Sequence, residues 1–255
     1  VSKVLDINGG PFSDPNDRDA MNLGTSVVKE GEPLGLLYGR VATGIIKTQA
    51  QLEAAREEFS LWTIFDPYLN LGDIAYEYED GFWKEDVIGH ATPDFFGGYT
   101  NTINWNRFTL TALFTFSYGN DLIYQKDVSD SGMSSLANRG TRVLNHYSED
   151  NTSSNRPRSM WATTYMLSSL NVYDASYLKL KTLSLSYNLP ESICRKVRIK
   201  SASVYGTATN VFTITSYPGP DPEVSDDPTS VIGGGRDVST YPTVKSYTFG
   251  IRINF

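Results

Sequence analysis

YTFGIRINF, residues 247–255, alternates strictly. Tyr247, Phe249, Ile251, Ile253 and Phe255 are aromatic or aliphatic; Thr248, Gly250, Arg252 and Asn254 between them are small, polar or charged. A period of two predicts a β-strand with a different medium on each face. At about 3.3 Å per residue the stretch covers about 26 Å, and tilted by about 40° it crosses most of an outer-membrane hydrocarbon layer. In a soluble sandwich the same oily face would pack a core. The pattern alone does not choose between core and lipid, so the neighbouring segments decide.

Those segments alternate in the same way. FFGGYTNTINW (95–105) is followed across Asn106-Arg107 by FTLTALFTFSYG (108–119). In the second strand Phe108, Leu110, Ala112, Phe114, Phe116 and Tyr118 share one face, and Thr109, Thr111, Thr115 and Ser117 share the other with Leu113. SYLKLKTLSLSYNLP (176–190) puts Leu183, Leu185, Tyr187 and Leu189 opposite Ser184, Ser186 and Asn188. By unbroken register Lys179 and Lys181 join the apolar face, which would place the edge of a bilayer near Leu183. After PESICRKVR comes a fourth strand, IKSASVYGTATNVFTIT (199–215). Asn101 falls on the face of Tyr99, Ile103 and Trp105, so that strand is expected either to bulge or to meet protein there.

Between the strands, connections alternate in length. The turns at 106–107 and 190–198 are short, whereas 120–174 and 216–242 are long and polar. A transmembrane barrel has this asymmetry, with short periplasmic turns and long outer loops. With Phe255 at the periplasmic end, Trp105 and Phe108 form an inner aromatic girdle, and Phe95 and Tyr118 an outer one. Nearer the start, residues 25–48 read as one or two strands broken at Gly31-Glu32-Pro33. TQAQLEAAREEFS (48–60) reads as a short surface helix capped by Thr48. Residues 69–94 read as an acidic, aromatic-rich loop.

Composition narrows the function classes. No apolar run approaches the about 18 residues of a membrane helix, which leaves barrel strands untouched because they are only half apolar. A net charge of −7 argues against nucleic acid as a partner. One cysteine, Cys194, and two histidines, His90 and His146, give no disulfide framework and little material for zinc or acid–base catalysis. We read all three as bystanders and expect neither an enzyme nor a cofactor. Aromatic residues make up 13% of the chain, led by 16 tyrosines, which favours β structure.

Candidate contacts lie in the loops, where a rigid scaffold usually presents recognition. Trp161, Tyr165 and Tyr173 are suited to stack on sugar rings, and Arg139, Arg142, Arg156 and Arg158 to bind carboxylates; packing within the loops or against a partner is the plainer alternative for each. Asp221, Glu223, Asp226 and Asp227 read as solvated charge in a proline-broken loop. Gly233-Gly234-Gly235 reads as a flexible turn, without the strand–glycine–helix setting of a nucleotide loop.

Several blocks, in order, resemble the carboxy-terminal part of SusC/RagA-type TonB-dependent outer-membrane transporters. They are VVKEGEPLGLLYGRVATGII (27–46), GDIAY (72–76), residues 91–124, DASYLKLKTLSLSYNLP (174–190), VYGTATNVFTITSYPGPDPEV (204–224) and YPTVKSYTFGIRINF (241–255). The resemblance implies an all-β fold, an antiparallel transmembrane β-barrel of 22 strands to which residues 1–255 contribute the last third, ending at a true C-terminus. It also implies a plug domain and a TonB-engaging segment outside this chain, and an outer-membrane location in a Gram-negative bacterium. The implied function is active import of oligosaccharides or peptides beneath a SusD/RagB-like lipoprotein lid, with outer-membrane lipid around the wall. Tyr247, Phe249, Ile251, Ile253 and Phe255 would then form the signal read by the barrel-assembly machinery. Many relatives carry an aspartate-rich calcium loop after the GDIAY block; here EYEDGFWKED (77–86) offers Glu77, Glu79, Asp80 and Asp86 without the alternating spacing such a loop needs. We expect no metal there. Two rival readings remain, a passive porin and a secreted sugar-binding β-sandwich.

Overall fold

In the computed structural model, residues 3–5, 13–14, 17–58, 69–131, 138–159, 167–225, 230, 234–239, 241 and 243–255 are described. The chain divides into two units. One comprises residues 93–120, 174–223 and 241–255, and the other comprises residues 1–92, 121–173 and 224–240.

The first unit is one antiparallel sheet made of the alternating segments. Its strands are β1 (Phe95–Trp105), β2 (Phe108–Tyr118), β3 (Tyr177–Asn188), β4 (Ser201–Thr215) and β5 (Ser246–Asn254), paired in chain order. Asn106 makes the tight turn between β1 and β2 with φ at 54°, a left-handed conformation that asparagine tolerates. The link between β3 and β4 holds a helical turn and a half, Glu191–Lys196, whose Cys194 is buried.

Register sorts the side chains. Tyr99 faces Phe114, Ile103 faces Leu110, Leu110 faces Leu185, Val204 faces Ile251 and Gly206 faces Phe249, so one surface of the sheet is apolar from edge to edge. On the other surface Thr109 faces Ser186, Thr111 faces Ser184, and Ser184 shares a hydrogen bond with Thr207. The apolar surface is not a core. Trp105, Leu185, Ile214, Tyr247, Phe249 and Ile251 are all exposed, Phe249 by 84%. Buried against a second sheet, such residues would be hidden; left open, they form a patch that water does not tolerate.

Aromatic rings gather at both ends of that surface. Phe95 stacks on Tyr118 at 5.0 Å and meets Phe116 edge-on at 6.2 Å. At the turn end Trp105 stacks on Phe108 at 6.3 Å, and Phe108 lies 4.7 Å from Tyr187. About 33 Å of strand separates the two clusters, and aromatic residues at that spacing are what membrane interfaces select.

The structure decides between the alternatives at Asn101 in part and corrects the expectation for the lysines. β1 pairs with β2 without a bulge from Phe95 to Trp105, and Asn101 sits opposite Ala112 on the apolar surface. Its amide donates to the Tyr99 hydroxyl at 3.0 Å, which partly satisfies a polar group in an apolar setting. The lysines are the correction. The ladder skips Lys181 on β3 and passes from Thr209 to Phe212 on β4, where Asn210 has φ at 52°. This bulge shifts the register by one residue, and a one-residue shift turns every later side chain to the opposite face. Lys179 therefore lies opposite Thr115 and Thr213 on the polar surface, while Leu178 and Leu180 take the apolar side.

In the second unit Asp17–Asn22, Ser26–Lys29, Leu36–Arg40 and Glu85–His90 pair in that order in an antiparallel sheet. The helix Gln49–Glu58 begins at a reciprocal cap: the Thr48 hydroxyl accepts from the Gln51 amide at 3.2 Å, and the Gln51 side chain accepts from the Thr48 amide at 3.1 Å. Residues 69–94 are not a loop but a run of short strands. Tyr78–Glu79 and Phe82–Trp83 form a hairpin whose two turn residues, Asp80 and Gly81, have φ of 51° and 80°. Asp-Gly is a preferred pair for that tight primed turn. The described residues within 120–174 include the strands Asp121–Tyr124 and Val172–Asp174, the helix Gln125–Ser131 and the short 3-10 helices Thr141–Asn145 and Ser169–Asn171.

Candidate functional site

Lys179 is the deepest charge in the sheet unit. It is 1% exposed, and an ammonium group in that position needs acceptors in every direction its protons point. The segment after β4 supplies them. Lys179 Nζ lies 3.1 Å and 3.2 Å from the two oxygens of Asp221 and 2.5 Å from Glu223 Oε2. The Tyr177 hydroxyl donates to Glu223 Oε1 at 3.0 Å, Lys181 reaches the same oxygen at 3.3 Å, and the Thr243 hydroxyl donates to Asp221. Asp221 and Glu223 are thus not solvated charge. Burial works against their ionisation, yet hydrogen bonds from Thr243, the Glu223 amide and Lys179 hold Asp221 below its ordinary value. For Glu223, burial is outweighed by Lys179, Tyr177 and Lys181, with the same net direction. Asp226 and Asp227 lie outside the described residues.

The loop arginines of the other unit also bind carboxylates, and those carboxylates belong to this chain. Arg158 grips Asp73 with both ends of its guanidinium, at 2.7 Å and 3.0 Å. Asp73, the aspartate of GDIAY, also accepts the Asn70 amide at 2.7 Å. The glycine before it, Gly72, has φ at 89° and lies against the Tyr147 ring, so closely that a Cβ would collide with it. Ile74, next along, packs with Ile45 and Tyr147 in a small core. The motif is therefore a packed corner.

Buried Asp127 organises a second cluster. It accepts from Arg156 at 2.6 Å and from the Tyr173 hydroxyl at 2.6 Å, with Arg142 at 3.4 Å. Arg142 also donates to the Tyr173 hydroxyl at 3.2 Å and lies over the Tyr173 ring at 5.3 Å. Burial and the donated bond to Asp127 push the Tyr173 phenol up, so it stays protonated. Arg139 pairs with Asp130 at 3.5 Å. Tyr173, Arg142, Arg156 and Arg158 thus have internal partners, while Trp161 and Tyr165 lie outside the described residues.

The acidic hairpin does not gather its carboxylates. Glu77 pairs with Lys84 at 3.1 Å, Glu85 with Arg40 at 3.7 Å, and the Asp86 side chain accepts its neighbour's amide at 2.8 Å. Among the described residues no group of three or more His, Cys, Asp or Glu is placed to hold a metal ion.

Tyr247, Phe249, Ile251 and Ile253 stand in line on the apolar surface of β5, and Phe255, just beyond it, is exposed. A receptor from Formosa agariphila, TonB-dependent receptor P3, is 31% identical over 236 residues, 91% of this chain. TonB-dependent receptor P26 of the same organism is 27% identical over 269 residues and covers 100% of the chain. This chain is a TonB-dependent receptor homologue. It spans about a quarter of the length of these relatives, 23% of P3 and 26% of P26. A solved structure of the RagAB peptide transporter matches the homologue with a TM-score of 0.68 at 24% identity, over 93% of this chain and 24% of that one. The RagAB peptide importer in a closed-closed state matches at 0.67 and 25%, over 93% and 25%. No protein-family model matches the chain.

Sequence reasoning missed Lys179, Asp221 and Glu223 as a group, and Asp127 and Asp73 as anchors. The signal for the first was present: two lysines in an apolar register, which only a bulge or a bilayer edge reconciles. Asp127 carries no local signal, because its partners lie 15, 29 and 46 residues away.

Proposed function

We propose that the chain forms part of the barrel wall of a SusC/RagA-type TonB-dependent transporter, which imports oligosaccharides or peptides across the outer membrane of a Gram-negative bacterium. The observation that carries this reading is the sheet itself. One surface is apolar, exposed and bounded by two aromatic clusters, and the other is lined by threonine and serine. Hydrocarbon suits the first surface and a wet lumen the second. The homology and the likeness to a peptide importer support the same reading.

In the whole receptor the sheet continues on both edges into a closed barrel of 22 strands around a plug. A SusD/RagB-like lipoprotein closes over the outer mouth, and TonB, engaging a region outside these residues, pulls on the plug to release cargo inward. The wall performs no bond chemistry. Its part is to present the loops 120–174 and 216–242 outward and to offer β5 to the assembly machinery.

The test is uptake by the native bacterium. Deleting the gene should abolish growth on one oligosaccharide or peptide source, and deleting tonB should do the same with the receptor still present. Uptake that persists without TonB would establish a passive porin instead. Recovery of the protein from the soluble fraction without detergent would overturn both membrane readings.

A further inference from the structure

Between β4 and β5 the chain leaves the sheet at Ser216 and returns at Ser246. Its two limbs meet at Lys179. Asp221 and Glu223 come from the outgoing limb, and Thr243, which donates to Asp221, comes from the returning one. Glu223 is further tied by the Tyr177 hydroxyl, and its amide donates to Asp221 Oδ1 at 3.0 Å. The limb is anchored lower down as well, where the Thr215 hydroxyl donates to the Ser176 carbonyl at 2.8 Å. The bulge at Lys181 and Asn210–Val211 is what brings the ammonium to the polar surface, where these groups lie.

We propose that Lys179 is a positioning residue, a clasp that closes the neck of the 216–245 loop onto β3. Three properties point to this role. A buried cation bound by two carboxylates contributes little net stability over an apolar residue of similar volume, so its worth lies in geometry. Lysine suits the site because three ammonium protons meet acceptors diverging from two residues, whereas a planar guanidinium serves one carboxylate edge. The clasp also joins positions far apart in the loop, so that both limbs are held at one point of β3. A loop so closed presents its outer residues from a fixed base, as recognition requires. That use rests on the import reading; the clasp does not.

Hydrogen exchange on the full-length receptor in detergent tests it. Two variants are compared with the parent: Lys179→Met, and the charge-neutral Lys179→Met/Asp221→Asn/Glu223→Gln. Peptides covering 216–223 and 241–245 should exchange at least about tenfold faster in both, while those of β2 and β4 stay protected in the neutral variant. Should Lys179→Met fail to assemble because it buries two unpaired carboxylates, the neutral variant decides. Parent-like exchange of the limbs in that variant would show that Lys179 clasps nothing and overturn the proposal. Uptake enters none of these readouts, so a failed clasp and a failed import reading are told apart.

Discussion

The Phe249 ring lies across the Cα of Gly206, its partner in the next strand, so that a Cβ there would stand 3.2 Å from two ring carbons. One pair along, on the opposite surface, the Tyr205 ring lies over Gly250 in the same way, closer still. Two glycines and two aromatic rings thus key β4 to β5 from both sides. Gly206→Leu should force Phe249 off its seat and cost about 1–3 kcal/mol. The readout is the midpoint of heat-induced unfolding on semi-native gels. Gly206→Ala should cost less, since the ring needs to give by only a few tenths of an ångström. Equal midpoints for parent and Gly206→Leu would show that the pair does not hold the register.

The two surfaces of β5 predict unequal tolerance of charge. Phe249 and Ile251 stand on the apolar side, whereas Thr248 pairs with Thr207 on the polar one. Phe249→Arg or Ile251→Arg places a guanidinium toward hydrocarbon at about 2–4 kcal/mol, while Thr248→Arg meets water. An outer-membrane insertion assay should show the first two impaired and the third near parental. Equal insertion of all three would refute the assignment of the faces.

The strands were legible because their physics is local. Alternation in 95–105, 108–118 and 246–254 follows from a period of two, and Thr48 with Gln51 announces a helix start within four residues. Lys179 escaped a local reading because a bulge resets the period, and nothing at Lys181 itself announces which strand carries the extra residue. The short strands within 69–94 escaped too: two or three residues do not establish a period, although Asp80-Gly81 alone marks a hairpin turn. Arg139, Arg142, Arg156 and Arg158, read as candidates to bind carboxylates, each meet a carboxylate of this chain. Which carboxylates they bind depends on pairings such as Arg158 with Asp73, 85 residues apart, which only the tertiary fold creates.

That pairing yields the next prediction. Two parallel bonds from one guanidinium hold Asp73 and with it the GDIAY corner. Arg158→Lys keeps the charge but not the fork, and should lose about 1.5–3 kcal/mol of local stability. Peptides around residues 69–76 should exchange faster by one to two orders of magnitude on that scale, with the strands of the large sheet unaffected. Protection equal to the parent would mean that charge alone holds the corner.

Acid should open the Lys179 cluster late. Asp221 and Glu223 both ionise below their ordinary values of 3.8 and 4.5 in the folded protein. A depressed folded value means that the unfolded state binds protons first as pH falls, so folding is favoured in full above the ordinary range. That contribution fades as pH drops through those values and is gone only below the depressed ones. Exchange of the 216–223 and 241–245 peptides, corrected for the intrinsic pH dependence of exchange, should stay flat from pH 7 to about 5. It should then rise on the way to pH 3, below the range of unperturbed carboxylates. The charge-neutral triple variant, having no carboxylate to titrate in the cluster, should show no such rise. A transition near pH 6 in the parent would assign the opening to a group other than these two acids.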